Sequence, residues 1–468
     1  MAVQAVSSRY LRLVLVASAV GTVIEWYDFY IFGSLAGVLS TQFFSKTDPV
    51  AAFLSTVALF TIGFLIRPLG AFVFGRIGDV IGRKYTFLVT LTGMGLSTAL
   101  IGVIPTYAQI GLSAAIILFI LRLIQGLTLG GEYGGAITYV AEHVPDARRG
   151  YYTGYLQTSP TIGLLLSLLV VVGTRLYLGE AAFNAWGWRI PFLLSLILVI
   201  ISFWIRLRLQ ETPIFAEMKA RRQTALNPWR EAFLSSNFKY VLIAIVVLIR
   251  QGVVWYSSQF WALFFLQNVQ KLDVLTSSTI VGIALVLATP FFVILGGLSD
   301  RIGRKPIILG GMALASLTYL PIYTALGQAA RPGAVNYPLA VFLVFILVLY
   351  VAMVYGPVAA FLAEFFPSRI RYTSVSVPYH IGNGWGGGLV PFITSAAYAS
   401  THSLASALAY PIIVPAVAFV IALFIMPQTH RLTIAAERPA PAMRVRQAPA
   451  TGGGGSEAQS LHTYRLGG

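Results

Sequence analysis

Long unbroken runs of apolar residues recur along the chain, separated by short segments that hold most of its charge. A helix needs about 20 such residues to cross roughly 30 Å of hydrocarbon. Twelve runs approach or exceed that length, at 11–38, 51–75, 85–104, 111–141, 150–175, 188–206, 239–267, 276–298, 306–326, 338–364, 373–400 and 404–426. Barrel strands would alternate apolar and polar residues over about 10 positions. These runs do not alternate, and helices satisfy their own backbone hydrogen bonds in lipid. The pattern predicts an all-α integral membrane protein with twelve transmembrane helices, spans one to twelve.

Two segments recur in order. Gly75-Arg-Ile-Gly-Asp-Val-Ile-Gly-Arg-Lys84 matches Gly296-Gly-Leu-Ser-Asp-Arg-Ile-Gly-Arg-Lys305, and Ala141-Glu142, Pro145 and Arg149 answer Ala363-Glu364, Pro367 and Arg371. Two matches at nearly one offset imply two six-helix bundles in parallel arrangement, related by an axis along the membrane normal. The expected organisation is an N-terminal bundle over 1–206, a cytoplasmic linker over 207–238, a C-terminal bundle over 239–426 and a disordered tail over 427–468. The linker mixes Arg208, Lys219, Arg221 and Arg230 with Glu211, Glu217 and Glu231; the tail is rich in Pro, Gly and Ala.

Composition narrows the class. Of 468 residues 57% are hydrophobic and 10% charged, against roughly 25% charged in a soluble domain. The net charge of +16 raises nucleic acid as a partner, but most of the 32 lysines and arginines fall in the N-terminus, alternate loops and the tail. Positive loops stay cytoplasmic, which puts both termini inside, and no nucleic-acid motif accompanies them. The first apolar run, after Arg9 and Arg12, is too long for a cleaved signal and reads as a retained span. The absence of cysteine excludes disulfide, Cys-metal and thiol-nucleophile chemistry. No metal-ligand cluster and no Ser/His/Asp arrangement is visible, so neither an enzyme, a metal nor a cofactor is expected.

Ionisable residues at membrane depth cost at least about 2.5–3.5 kcal/mol each and need a partner or a cavity. Glu25 and Asp28, at i and i+3, share a face of span one, roughly 21 and 25 Å from its cytoplasmic end. Two close carboxylates in a low dielectric hold a proton readily, as a proton carrier requires; the alternative is a fixed ion pair with arginine. Arg122, about 16 Å into span four, suits a substrate carboxylate, or a permanent pair with Glu25 or Asp28. Arg67, followed by Pro68, lies where snorkelling toward the cytoplasm is possible and reads as structural. Glu132, within Gly130-Gly-Glu-Tyr-Gly-Gly135, reads as an interhelical anchor or a proton-relay member.

In span seven, Arg250, Trp255, Tyr256 and Gln259 are too deep for an interfacial belt, and near-helical spacing points them at one cavity. In span eleven, His380 and Asn383 are i and i+3. A free histidine titrates near neutral pH, but a buried one reads more readily as a hydrogen-bonded neutral group. The glycines from Gly382 to Gly388 lack a Gly-Lys-Ser/Thr sequence and read as helix packing.

The repeated Gly-x-x-x-Asp-x-x-Gly-Arg-Lys is similar to the signature of the major facilitator superfamily. Gly21-Thr-Val-Ile-Glu-Trp-Tyr-Asp-Phe-Tyr30, Phe64-Leu-Ile-Arg-Pro-Leu-Gly70, Arg122-Leu-Ile-Gln-Gly126 and Ala363-Glu-Phe-Phe-Pro-Ser-Arg-Ile-Arg-Tyr372 resemble its metabolite:proton symporter family, which includes α-ketoglutarate, citrate, shikimate and proline/betaine permeases. The resemblance spans roughly 15–426 and implies a monomeric protein of the bacterial inner membrane. Arg206-x-Arg-x-x-Gln-Glu-Thr-Pro213 is similar to the related sugar porters, with Pro427-Gln-Thr-His430 a degenerate counterpart. The Gly-rich tail cannot form the coiled coil of the osmosensing betaine permeases.

Asp79 and Asp300 can accept from helix N-termini or pair with arginines, while Arg83 and Arg304 can hold neighbouring helix ends. By resemblance these contacts stabilise an outward-open state, with Glu142, Arg149, Glu364 and Arg371 in the same cytoplasmic network. The expected function is proton-coupled uptake of a small organic acid, such as a di- or tricarboxylate, by alternating access. Its partners are that solute, protons and the bilayer. A symporter of a zwitterion or polyol, a proton-antiport exporter and a non-transporting sensor remain as alternatives.

Overall fold

The computed structural model describes residues 8–45, 47–207, 212–221, 227–234, 237–432 and 434. Every described element is helical, and the major facilitator arrangement of twelve spans in two six-helix bundles is present. Among the described residues nine helices are long and apolar enough to cross a membrane, and Leu88–Ile101 and Arg189–Trp204 are shorter apolar ones. The remaining span, eleven, is divided into Arg371–Tyr379, a wider π-helical turn His380–Gly387, and Val390–Thr401. Its polar and glycine residues explain why hydropathy alone passes it by.

Several spans break where the sequence removes a backbone donor or inserts glycine. Span two divides at Ile66 into Pro49–Leu65 and Arg67–Val80, with Pro68 unable to continue the ladder. Span four divides at Gly130 and Gly131 into Leu112–Leu129 and Glu132–Ala141. Span seven runs from Phe238–Tyr256 into the π-helical Ser257–Trp261. π-Bulges of this kind are often functional.

Helix starts at the polar ends are capped by side chains: Asp48 accepts from Val50 N and Ala51 N at 3.0 Å, and Asp273 accepts from Thr276 N at 2.9 Å. The two signature loops each turn on a glycine with left-handed backbone, Gly82 at φ 141° and Gly303 at φ 102°, a conformation that carries almost no penalty only for glycine.

Two cross-bundle seams dominate at the end carrying the charged loops. The inner half of span two packs along Arg371–Tyr379 of span eleven, and span eight (Val274–Ile302) packs along Arg149–Gln157 of span five. At the second seam a Cβ on Gly150 would strike the Gly296 carbonyl oxygen, so the backbones touch.

The stretch expected as linker contains two capped helices, Pro213–Ala220 and Pro228–Phe233. It is tied to the bundles through Trp229 Nε1, which donates to Phe72 O at 3.0 Å, and through an Arg369–Glu231 ion pair of 3.0 Å. The start of the expected disordered tail is instead packed: Thr429 is buried and Gln428 Oε1 accepts from Lys305 N at 3.3 Å. The rest of that tail, 435–468, lies outside the described residues.

Candidate functional site

Span one (Ser8–Ser34) buries Glu25, Trp26, Asp28, Phe29 and Tyr30, and turns Tyr30 into the seam between the halves, against Trp255 and Phe260 of span seven. Neither carboxylate oxygen of Asp28 has a hydrogen-bond partner among the described residues. The Arg122 guanidinium lies over the rings of Phe29 at 4.3 Å and Phe32 at 4.4 Å, and donates to Gln125 Oε1 at 2.7 Å and Phe60 O at 3.2 Å. It forms no ion pair with Glu25 or Asp28, so the permanent pair considered from the sequence is absent; phenylalanine rings occupy its faces instead.

Arg67 differs from its sequence reading. It does not snorkel: the side chain is fully buried, over Phe64 at 4.0 Å, Phe29 at 4.1 Å and Trp26 at 5.3 Å. The break at Ile66 starts a new helix at Arg67, and the side chain enters the aromatic layer rather than following the span toward its charged end. None of its three nitrogens is hydrogen-bonded among the described residues. Two guanidiniums therefore stack on the single ring of Phe29. Each cation–π contact contributes about 0.5–2 kcal/mol, so the three rings around each guanidinium offset an amount comparable with the minimum burial cost of about 2.5–3.5 kcal/mol per charge.

Span seven supplies the facing wall. Trp255 stacks on Tyr30 with centroids 5.1 Å apart, the Tyr30 and Tyr256 hydroxyls are 3.4 Å apart, and Tyr256 meets Phe64 edge-on at 4.9 Å. Gln259 Nε2 donates to Thr161 Oγ1 at 3.4 Å. Arg250 does not join this wall: Nε donates to Val247 O at 3.2 Å and Nη1 donates to the Ala418 carbonyl of span twelve. Five residues at about 100° each put Arg250 and Trp255 roughly 140° apart on the helix, which the sequence reading overlooked.

In span eleven, Asn383 Nδ2 donates to Gln251 Oε1 at 2.7 Å and Tyr379 OH at 3.2 Å. His380 is buried and, contrary to expectation, neither ring nitrogen is hydrogen-bonded among the described residues; Tyr379 lies edge-on at 5.0 Å. Glu132, buried, opens the second helix of span four. Next to it Tyr133 stacks on Tyr379 at 3.4 Å, and Gln157 Nε2 donates to Tyr355 O at 2.7 Å. This tyrosine–glutamine bridge was not singled out from the sequence, because tyrosine at helical spacing is indistinguishable there from core packing.

A second layer lies at the charged-loop end. Asp79 accepts from Thr373 N at 3.0 Å and Thr373 Oγ1 at 2.7 Å, at the start of Arg371–Tyr379. Asp300 accepts from Gly150 N and Tyr151 N, both at 2.8 Å, at the start of Arg149–Gln157. Each signature aspartate thus meets a helix N-terminus of the other half, where the helix dipole favours negative charge.

Arg304 pairs with Asp300 at 2.7 Å and Glu364 at 2.8 Å, Arg149 pairs with Glu364 at 3.0 Å, and Arg371 pairs with Glu142 at 2.9 Å. Arg149 also pairs with Asp146. The Arg83 side chain lies outside the described residues. Two threonines complete the symmetry: Thr212 Oγ1 donates to Glu142 at 2.6 Å, and Thr429 Oγ1 donates to Glu364 at 2.7 Å. They occupy matching places in the Gln-Glu-Thr-Pro and Pro-Gln-Thr-His segments, the one signal that could have identified them.

Residues 18–391 match the family described as "Major Facilitator Superfamily". The "Inner membrane metabolite transport protein YhjE" of Escherichia coli (strain K12) is 34% identical over 400 residues, covering 82% of this chain and 87% of that protein. The "Glycine betaine/proline/ectoine/pipecolic acid transporter OusA" of Dickeya dadantii is 31% identical over 445 residues, covering 92% and 86%. Among solved structures, the proton:xylose symporter XylE bound to 6-bromo-6-deoxy-D-glucose aligns with a TM-score of 0.74 at 18% identity, over 91% of this chain and 97% of that one. The chain belongs to the Major Facilitator Superfamily and is a membrane transporter of that family, not an enzyme.

Proposed function

We propose that the chain is a proton-coupled symporter that takes up a small organic acid by alternating access between its two halves. The observation that carries this reading is the pair of buried guanidiniums, Arg67 and Arg122, which share the Phe29 ring and make no ion pair among the described residues. A carboxylate solute supplies the missing counter-charge, held by the bidentate geometry of Arg122. Asp28, one residue from Phe29, carries the proton, with Glu25 and Glu132 as its relay. Trp255, Tyr256, Gln259, His380 and Asn383 are assigned to the solute from the facing side of the same seam, while Arg250 anchors span twelve.

In this reading residues 1–206 and 239–426 are the two rocking bundles of a monomer, and 207–238 links them. The charged-loop end faces the cytoplasm across the inner membrane, as the positive-inside rule requires. The layer of Asp79, Glu142, Arg149, Asp300, Arg304, Glu364 and Arg371 is its cytoplasmic gate, closed here by helix-end contacts and ion pairs, and Arg83 is assigned to that gate from its place in the signature loop.

One observation favours a second reading. The aromatic surface of Trp26, Tyr30, Trp255 and Tyr256 beside Arg67 suits a zwitterion, with the ammonium on the rings and the carboxylate on the guanidinium. Proteoliposome uptake under an imposed pH gradient separates the two, using di- and tricarboxylates and shikimate against betaine and proline. Gradient-driven accumulation of a carboxylate supports the first reading. Accumulation of betaine or proline alone supports the second, and accumulation only with the gradient reversed indicates an exporter.

A further inference from the structure

At the charged-loop end a cavity of about 1130 Å³ opens between the halves, on the flank of the charged layer. Three walls build it, from the start of span one, the start of span five and the end of span eight. Each wall has the same polarity. Span one presents Arg12 at the mouth, then Leu15, Val16 and Ala19; span five presents Arg148, then tyrosines; span eight presents Arg301, then Ile294 and Val293 deeper in. From Arg12 to Ala19, and from Arg301 to Val293, the groove descends about 10–12 Å at 1.5 Å per residue, roughly the depth of a headgroup with the first part of an acyl chain.

The three arginines are exposed and make no ion pair among the described residues. Asp300 also lines the cavity, but its oxygens are committed to Gly150 N, Tyr151 N and Arg304. The Tyr151 and Tyr155 hydroxyls are 2.9 Å apart and 37% and 40% of those side-chain-bearing residues is exposed, at the level where tyrosine belts meet the headgroups.

We infer that this groove is a binding site for one anionic phospholipid, its phosphate among Arg12, Arg148 and Arg301 and an acyl chain along Val16, Ile294 and Val293. Charge decides against the chain's own end: residues 435–468 contain Arg438, Arg444, Arg446 and Arg465 against Glu437 and Glu457, the wrong net sign. Depth decides against a soluble anion, which has no use for the apolar floor. Because Arg12 and Arg148 belong to one half and Arg301 to the other, a bound phosphate neutralises like charges across the seam and holds the charged-loop end closed.

The test uses the full chain in neutral detergent, with lipid binding counted by native mass spectrometry. Phosphatidylglycerol is titrated against phosphatidylcholine of identical acyl chains, with glycerol-1-phosphate as the tailless anion. Wild type prefers phosphatidylglycerol. Arg148→Gln and Arg301→Gln each weaken its binding about fivefold, the value of about 1 kcal/mol per basic residue near an anionic surface. Arg148→Lys with Arg301→Lys keeps the preference and controls for folding, and Arg331→Gln, at the opposite end, leaves it unchanged. Equal binding of the two lipids, an undiminished preference in the glutamine variants, or equally tight glycerol-1-phosphate would each overturn the inference.

Discussion

Replacing Glu364 with glutamine removes one negative charge from the middle of the cross-half network while keeping its shape. The side chain is wholly buried and accepts from Arg149 Nη1 at 3.0 Å, Arg304 Nη2 at 2.8 Å and Thr429 Oγ1 at 2.7 Å. Two buried guanidiniums then lose their common carboxylate, leaving Arg304 with Asp300 and Arg149 with the part-exposed Asp146. Breaking a buried pair from one side costs about 3–5 kcal/mol, and the acceptor that glutamine retains puts this change near 3 kcal/mol. Opening the seam separates Arg149 from Glu364, whereas Arg304 and Glu364 belong to the same half and stay together where water can reach them, so the cost falls mainly on the closed arrangement. At about 1.4 kcal/mol per tenfold, the closed-to-open ratio falls about 150-fold.

The absence of cysteine makes the readout clean. Ser376 is buried in span eleven against Gly134 of span four, beneath the charged layer. Ser376→Cys therefore introduces a unique thiol that a membrane-impermeant maleimide reaches only when the charged-loop end opens. Adding Glu364→Gln is expected to speed labelling about 150-fold, or up to the rate of a freely exposed thiol. Unchanged labelling in a folded double variant would refute the gate assignment.

Asp28→Asn is expected to abolish pH-driven accumulation while leaving solute counterflow, since exchange needs no net proton movement; loss of both would place Asp28 in solute binding instead. Thr429→Val and Thr212→Val each remove one hydrogen bond to a buried glutamate, worth about 1.5–3 kcal/mol, and both are expected to accelerate labelling of the Ser376→Cys thiol, more weakly than Glu364→Gln. Phe29→Leu deletes the ring shared by Arg67 and Arg122, and the lost stacking of about 1–4 kcal/mol in total is expected to lower the melting temperature and weaken solute binding together. An unaltered melting temperature would mean that the two guanidiniums have another anchor.

The membrane class, the span positions and the internal repeat were legible because each rests on a property of sequence alone: apolar run length and a repeated motif. The signature aspartates were legible for the same reason, since an acidic residue between glycines in two equivalent loops has few uses other than meeting a helix end. The orientation of individual charged side chains was not. Arg67 is aimed by a local break at Ile66, and Arg250 by a helical angle that its spacing from Trp255 misstates. Thr429 lies in a segment whose composition resembles disorder, and only the partner glutamate from span ten reveals its use. The π-turns of spans seven and eleven were equally hidden, because their backbone widening depends on packing between the two helices, as where Gly382 and Gly387 lie against Leu248 and Gly252.

The most direct measurement is solute-induced proton movement into proteoliposomes, followed with an entrapped pH indicator as each carboxylate is added in the absence of a gradient. The account predicts that a transported carboxylate acidifies the lumen of wild-type vesicles, that Asp28→Asn abolishes the pH change while labelled solute still exchanges, and that Arg122→Gln abolishes both. Carboxylate entry with no proton movement in wild type, or undiminished coupled transport in Arg122→Gln, would contradict it.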